Sequence, residues 1–194
     1  MSTLFLHNLQ QHLALFQTLD TLAPTIGEAS LLVTERLRSG GKLMICGNGG
    51  SAADSQHIAA EFTGRFIEDR KPLAALALST DTSALTCIGN DYSFDEVFAR
   101  QVAGLGRSGD VLIGISTSGN SKNILRAVEE ARALGVTTIG LLGRDGGKLA
   151  ALCDHAVIVP NQVTARIQEA HILIGHTICG AVEQALGLVP ACED

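Results

Sequence analysis

Apolar residues near the start of the chain recur at steps of three or four positions. Leucine and phenylalanine take this spacing at Leu6, Leu9, Leu13, Phe16 and Leu19. Side chains with this period share one face of a helix, so the pattern predicts an amphipathic helix that ends near Pro24. A second helix is predicted over about residues 25–39. Together they would form an N-terminal helical extension of about residues 1–39.

Five short apolar runs follow, and helical stretches separate them. They read KLMIC (42–46), LAALAL (73–78), DVLIGIS (110–116), TTIGLL (137–142) and HAVIVP (155–160). Buried strands that alternate with helices are typical of a parallel sheet covered on both faces. The pattern therefore predicts an α/β fold, a three-layer sandwich in which helices flank a five-stranded parallel sheet.

The last long helix is predicted over about residues 164–186, and its apolar residues occupy more than one face. They include Ile167, Ile172, Leu173, Ile174, Ile178 and Val182. A helix on the surface of one domain needs only one apolar face. The additional apolar surface indicates burial by partner subunits.

Composition narrows the class of protein. A chain of 194 residues fits one domain, and the sequence shows no linker or repeat that would divide 1–194. The formal charge of -6 and the aromatic content of 4% argue against nucleic acid bound on a broad basic surface or by stacking. A local pocket for a small anion is compatible with both values.

Cysteine usage and the N-terminus indicate the compartment. The cysteines form no C-x-x-C pair, and their odd number suits reduced thiols; they are Cys46, Cys87, Cys153, Cys179 and Cys192. The N-terminus lacks a basic n-region, and polar residues interrupt its apolar ones before a membrane length is reached. We therefore expect a cytoplasmic protein that does not span a membrane.

Two of the predicted strands end in short loops rich in hydrogen-bond donors, CGNGGSAAD and ISTSGNSKN. Glycines let backbone amides approach an anion, and the N-terminus of the following helix favours negative charge. Loops at the carboxyl ends of parallel strands are also where α/β proteins bind ligands. We predict a phosphate-binding site formed by Asn48, Gly49, Gly50, Ser51, Ser116, Thr117, Ser118 and Ser121.

A simpler interpretation is that the serines cap helices and the glycines make turns. The second loop, however, offers four hydroxyls within six positions, at Ser116, Thr117, Ser118 and Ser121. One helix cap cannot use that many hydroxyls, so the anion site is favoured. Lys122 and Arg126 need be no more than solvated helix residues.

His57 and Glu61 follow the first loop and lie four residues apart. This spacing places both side chains on one helix face, where they can converge on one ligand. The alternative is a partly buried histidine that pairs with a glutamate and has no further role.

Several motifs in order give the sequence a resemblance to a known family. They are CGNGGSAAD, QHIAAEFTGRF, TCIGNDY, GDVLIGISTSGNS, GRDGGK and ARIQEAHILIGH. On these motifs the chain resembles the sugar isomerase (SIS) family, and within it the phosphoheptose isomerases. The resemblance implies a flavodoxin-like SIS fold, a phosphosugar in the two loops, and a homotetramer whose active sites lie at subunit interfaces.

The resemblance also implies a reaction and residue roles. The reaction would convert sedoheptulose 7-phosphate to D-glycero-D-manno-heptose 7-phosphate through an enediol, in nucleotide-activated heptose biosynthesis for lipopolysaccharide. Glu61 would be the general base and His176 the general acid, while Gln168 orients the sugar oxygens. Four residues resemble the family's zinc site, one ion per subunit: His57, Glu61, Gln168 and His176. Glu61 would then be both ligand and base.

Gln168 and His176 lie eight residues apart on one predicted helix, which corresponds to about 12 Å of rise and about 80° of rotation. One ion would strain to reach both. Either the helix starts late and leaves Gln168 on its flexible entry, or the two side chains reach a shared site from different subunits. His171 falls off the His176 face and is interpreted as structural. The other histidines are interpreted as surface or packing residues: His7, His12 and His155.

Other polar residues have two interpretations each. Asn90 and Asp91 could bind sugar hydroxyls or form a plain turn. Arg65, one turn beyond Glu61, could hold that carboxylate or contact the substrate. Asp145 could line the pocket, although its GRDGGK motif reads first as a turn.

Two other functions stay open at this point. A non-catalytic tetrameric SIS scaffold that binds the bacterial replication initiator would need no acid/base pair. A sugar-phosphate sensor would need a DNA-binding module, for which the sequence shows no segment. Because Glu61, Gln168 and His176 are all present beside intact loops, the isomerase is favoured.

Overall fold

The computed structural model of the protein describes residues 2–190, so Cys192 lies outside the described residues. Within this range, five strands form one sheet: Leu43–Gly47 (β1), Ala75–Ala77 (β2), Val111–Ser116 (β3), Thr137–Gly143 (β4) and His155–Val159 (β5). Each strand coincides with one of the predicted apolar runs to within two residues at either end.

The same residues form eight α-helices: Ser2–Phe16 (α1), Ala23–Arg38 (α2), Gly50–Thr63 (α3), Thr82–Asp91 (α4), Ala99–Leu105 (α5), Lys122–Ala133 (α6), Gly147–Leu152 (α7) and Thr164–Ala185 (α8). The predicted end of the first helix near Pro24 is wrong, because α1 ends at Phe16 and Pro24 lies in the first turn of α2. Proline suits a first turn, where its missing N–H has no helical partner to lose.

All neighbouring strands are parallel, and their order is β2-β1-β3-β4-β5. The chain adds β2 on one side of β1 and the later strands on the other, so the direction of winding reverses between β1 and β3. In open α/β sheets, ligands bind in the crevice at the carboxyl ends of the strands that flank such a reversal. The topology therefore marks the crevice between β1 and β3 as the expected binding location.

Helices cover both faces of the sheet. Along β1, Leu43 and Ile45 belong to one apolar cluster, and Met44 and Cys46 belong to another. The first cluster includes residues of α2, α3 and α8, and the second includes residues of α5, α6 and α7. Because each face of the sheet packs against its own helices, the predicted three-layer α/β sandwich is confirmed.

Helix α8 buries most of its apolar residues within its own chain. Ile167, Ile174, Ile178 and Val182 are at most 1% exposed and pack in the cluster that contains α2 and α3. The chain itself, rather than a partner subunit, covers these four side chains. Leu173, by contrast, is 45% exposed, so the apolar surface that α8 offers to a partner subunit is smaller than the sequence predicts.

Among the helices that the structure describes, α8 included, none is long and apolar enough to cross a bilayer.

Candidate active site

The two donor-rich loops meet at the crevice between β1 and β3. These strands pair with Gly47 opposite Ile115, so they end at the same level of the sheet. Residues 48–49 follow β1, and residues 117–121 follow β3. The fold thus brings together the two loops that were predicted to hold a phosphate.

In the described part of the chain, the helices after these loops begin without a side-chain cap. Gly49 is the N-cap of α3, and Ser121 is the N-cap of α6 but makes no capping bond. The Ser121 hydroxyl instead lies 3.0 Å from the Ser116 hydroxyl. The interpretation of the serines as caps therefore fails for Ser121 and for Ser51, which lies inside α3. Uncapped helix starts offer backbone N–H groups to an anion.

A pair of asparagine amides joins the two loops. Asn48 donates to Asn123 Oδ1 at 2.9 Å, and Asn123 donates back to Asn48 Oδ1 at 2.8 Å. Asn123 lies in the first turn of α6 and is 3% exposed. The predicted substrate residue Asn48 therefore uses one N–H and one lone pair to hold the loops together, and its second N–H stays available to a ligand.

The GRDGGK motif packs behind the second loop. Gly119 has a φ of +65°, and a Cβ there would lie 2.0 Å from the Gly146 carbonyl oxygen, so only glycine fits. Asn120 donates to the Ser118 carbonyl oxygen at 2.8 Å and accepts from the Lys148 amide at 3.2 Å. The motif therefore shapes the backbone of the second loop.

His57, Glu61 and His176 form a compact group on two neighbouring helices. His57 Nε2 lies 3.1 Å from Glu61 Oε1 and 3.3 Å from His176 Nε2. The two imidazole rings meet edge to face, and the Phe66 ring lies beside His176. The His57 side chain is 48% exposed and that of Glu61 is 21% exposed. A solute can therefore reach both.

Helix α8 lies beside α3 and runs in the same direction. A Cβ at Gly50 would lie 2.5 Å from Gln168 Nε2, and a Cβ at Gly175 would lie 2.4 Å from Ile58 Cδ1. The rise of about 12 Å between Gln168 and His176 is therefore matched by a similar rise along α3. Gln168 faces the start of α3, and His176 faces its later turns.

This arrangement removes one of the two alternatives for Gln168 and His176. The helix begins at Thr164, so Gln168 lies inside it and the idea of a late start is wrong. His176 joins His57 and Glu61 within one chain. Gln168 lies next to the first loop instead, and its place in a common metal site stays a prediction.

The three potential ligand atoms of this group lie close enough together to hold one ion. One ligand atom from each of His57, Glu61 and His176 lies within 4.8 Å of the other two. A tetrahedral ion with bonds of about 2.0 to 2.1 Å keeps its ligand atoms about 3.3 Å apart. The contacts of 3.1 and 3.3 Å at His57 Nε2 are close to that value. Two imidazoles and a carboxylate are also a donor set that zinc accepts.

Other predicted residues make contacts of their own. Asn90 and Asp91 are exposed at the end of α4, where Asn90 donates to Asp91 at 2.8 Å. That bond is the main reason why the pKa of Asp91 lies below its usual value. Arg65 donates to a backbone carbonyl two residues further on, and not to Glu61. Asp145 is exposed and accepts from a backbone amide of its own turn, as the turn interpretation predicts.

Two further histidines make contacts within the fold. His171 is fully buried, and its Nε2 lies 2.9 Å from the Leu142 carbonyl oxygen. Burial lowers the pKa of His171 to about 4, so the ring is neutral at pH 7. These contacts support the structural interpretation of His171. His12, interpreted as a surface or packing residue, lies 2.9 Å from Glu169 and links α1 to α8.

Asn120 and Asn123 were not predicted as site residues from the sequence. An asparagine beside glycine and serine reads as an ordinary turn residue. The partner of Asn123 is 75 positions away, so no local pattern points to it. The available signal was their position, since Asn120 lies within the hydroxyl-rich loop and Asn123 lies directly after it.

Known proteins resemble this chain over most of its length. The SIS domain family matches residues 5–143. The phosphoheptose isomerase of Rhodospirillum rubrum is 56% identical over 171 residues, which cover 88% of this chain and 91% of that protein. The chain belongs to the phosphoheptose isomerases of the SIS domain family. A second phosphoheptose isomerase, from Helicobacter hepaticus, is 55% identical over 187 residues, 96% of this chain and 95% of its own.

A solved structure agrees with membership in the phosphoheptose isomerases. The phosphoheptose isomerase from Neisseria gonorrhoeae superposes with a TM-score of 0.90 at 48% identity, and the match covers 94% of this chain and 98% of that one. The SIS fold implied by the sequence motifs is therefore confirmed. The expected enzyme class, a phosphosugar isomerase, is confirmed as well.

Proposed function

We propose that this phosphoheptose isomerase converts sedoheptulose 7-phosphate to D-glycero-D-manno-heptose 7-phosphate, in nucleotide-activated heptose biosynthesis for lipopolysaccharide. The observation that carries the proposal is the layout of the crevice. Two uncapped helix starts lie at one end, and the group of Glu61 and His176 lies further along α3 and α8. Along α3, which begins at Gly50, the rise from Gly50 to His57, the first residue of that group, is about 10 Å, so a substrate with its phosphate and its carbonyl at opposite ends suits the crevice.

Glu61 and His176 are assigned to the two proton transfers of the reaction. Ketose-to-aldose conversion removes a proton from C1, forms an enediol and returns a proton to C2, while another proton moves between O1 and O2. Glu61 takes and returns the carbon-bound proton as general base, and His176 moves the proton between the oxygens. Gln168, next to the first loop, orients the sugar oxygens.

A zinc ion, one per subunit, is part of the proposal. His57, Glu61 and His176 of one chain would hold it, and Gln168 from a different subunit is the predicted fourth ligand. When bound, the ion supplies a Lewis acid that polarises the carbonyl and stabilises an enediolate. Because Oε1 of Glu61 faces His57, the other carboxylate oxygen is the one that we assign to the C1 proton.

Replacing Ser118 and Ser121 together by alanine is expected to weaken binding of sedoheptulose 7-phosphate by about 10²- to 10⁴-fold. Each hydroxyl is assigned to the phosphate, and a hydrogen bond to a charged group is worth about 1.5 to 3 kcal/mol. The melting temperature should change little, because both side chains are only partly buried. Calorimetric titration measures the affinity, and Ser83→Ala, an exposed serine on α4, is the matched control. Unchanged affinity in the double variant would remove the phosphate assignment.

A homotetramer is expected from the apolar surface that the chain leaves open. Large apolar side chains of α1 are between 39% and 66% exposed, namely Leu4, Phe5, Leu6, Leu9 and Leu13. A groove of about 570 Å³ between α2 and α8 is also lined mainly by apolar residues. Burial of such surfaces drives association. Light scattering at micromolar concentration should give four times the chain mass of 20.3 kDa, and a monomer would contradict the expectation.

Active sites at subunit interfaces would also give a role to predicted substrate residues that lie apart from the crevice of their own chain. These residues are Arg65, Asn90 and Asp91, and in an oligomer they would contact the substrate bound in the crevice of a neighbouring subunit. A cytoplasmic location is proposed with them, since the cysteines among the described residues are unpaired. The scaffold and sensor alternatives have no observation in their favour.

The proposed activity is tested by incubating the purified protein with sedoheptulose 7-phosphate and following the aldose by NMR. The expected result is conversion to an equilibrium mixture of ketose and aldose phosphates. Sedoheptulose without its phosphate is the matched control and should react far more slowly, because the loops then hold nothing. Failure to form the aldose, together with binding of the replication initiator, would favour the scaffold instead.

A further inference from the structure

A buried arginine lies at the end of the helix that carries His57 and Glu61. The Arg70 side chain, in the segment between α3 and β2, is 1% exposed. Its guanidinium donates to the backbone carbonyls of Glu61 at 2.5 Å, Phe62 at 2.7 Å and Gly64 at 3.0 Å. Carbonyls in the last turn of a helix have no partner inside the helix, so Arg70 supplies donors to the end of α3, where the Phe62 carbonyl also accepts from the Leu73 amide at 2.9 Å.

The same guanidinium is bound to α8. Arg70 Nε lies 2.6 Å from Glu183 Oε1, and the Glu183 side chain is 2% exposed. Glu183 also accepts from the Phe66 amide at 3.3 Å. On α8, Glu183 follows His176 by seven residues, so the two side chains share a helix face about two turns apart. Arg70 therefore connects α3, at Glu61, with the face of α8 that carries His176.

We propose that Arg70 and Glu183 are positioning residues, and that they hold Glu61 and His176 at their working separation. The proposal rests on the assignment of those two residues as base and acid. Neither Arg70 nor Glu183 touches the proposed substrate position. They act by fixing α3 and α8 directly behind the reacting groups. Proton transfer needs the acid and base within hydrogen-bond reach of the substrate, and a misplacement of about 1 Å can cost about 100-fold in rate.

The chemistry of the pair explains why other residues would serve less well. A planar guanidinium has five N–H donors in a fixed fork, which can serve several carbonyls and a carboxylate at once. The single ammonium of lysine cannot reach Glu183 and the three carbonyls together. Burial also makes the partners depend on each other, because either charge alone would be left in a site without water.

Arg70→Lys tests the positioning role. The turnover number for sedoheptulose 7-phosphate should fall about 10- to 100-fold, while KM stays within about threefold because the loops after β1 and β3 still hold the phosphate. Asp110→Asn is the matched control. Asp110 forms another ion pair of the fold with Lys42, and this pair is partly buried and lies at the amino ends of β1 and β3. That control should lower the melting temperature and leave the turnover number near native.

Glu183→Gln is the milder second variant, because glutamine keeps the shape and an oxygen acceptor for Arg70 and Phe66. Its turnover number should fall between that of the native protein and that of Arg70→Lys. A native turnover number in either folded variant, or an equal loss in Asp110→Asn, would overturn the proposal.

Cobalt binding separates a failure of this inference from a failure of the proposed function. The absorption of added Co²⁺ reports on the group of His57, Glu61 and His176 without any turnover. Arg70→Lys should bind Co²⁺ at least about tenfold more weakly than the native chain, because its ligands come from both α3 and α8. If the native chain isomerises no phosphosugar, the proposed function fails, and equal Co²⁺ affinity in native and variant chains would then overturn the positioning role by itself.

Discussion

Replacing Glu61 by glutamine is expected to lower the turnover number for sedoheptulose 7-phosphate by about 10² to 10⁴. Glutamine keeps the shape of the side chain and one oxygen that can still face His57, but its amide cannot take the C1 proton. KM should change only modestly, because the phosphate is held by the loops after β1 and β3. Steady-state kinetics of aldose formation measures both parameters.

Glu129→Gln is the matched control for this change, because Glu129 is an exposed carboxylate on α6 that pairs with Arg126. The control should leave both the turnover number and KM near native values. Near-native turnover in Glu61→Gln would show that another group removes the proton, and the mechanism proposed for this site would then be wrong.

Replacing His176 by glutamine is expected to lower turnover by a similar factor, about 10² to 10⁴. The amide keeps a hydrogen-bonding group in place but cannot move a proton between the two sugar oxygens. His171→Gln is not a suitable control, because His171 is fully buried and the change would disturb packing. His7→Gln, an exposed histidine of α1, is suitable and should be silent.

Mixing the two inactive variants tests where the site is assembled. Glu61 and His176 meet through His57 within one chain, so each mixed oligomer would still contain only sites that lack the base or the acid. Activity should therefore not recover when Glu61→Gln and His176→Gln chains are mixed and exchange of subunits is verified by mass. Recovered activity would show that the two residues come from different subunits.

The fold was largely predictable because its signals are local. Each strand is a short apolar run, and glycine and hydroxyl residues directly after β1 and β3 indicate the two loops. The end of α1 was predicted wrongly from Pro24, because proline can follow the end of one helix or lie in the first turn of the next. The sequence could not show which apolar residues of α8 are buried by their own chain and which by a partner subunit. Apolar residues on several faces indicate only that these faces make contacts.

The site was predictable where its parts are adjacent in sequence. His57 and Glu61 lie one helical turn apart, whereas the resemblance to the SIS family was needed to add His176. The contacts that support the site join distant positions: Asn48 and Asn123 are 75 residues apart, and Arg70 and Glu183 are 113 residues apart. Local patterns carry no information on such pairs, so only the folded chain reveals them.

Solvent isotope incorporation shows whether Glu61 carries out an enediol isomerisation. The native protein is incubated with sedoheptulose 7-phosphate in D₂O, and the aldose product is examined by NMR. An enediol route passes the migrating proton through Glu61, where it exchanges with solvent, so the product should carry deuterium at C2 at least in part. Aldose that forms rapidly but carries no deuterium at C2, or a Glu61→Gln variant that incorporates deuterium at the native rate, would contradict proton transfer by Glu61.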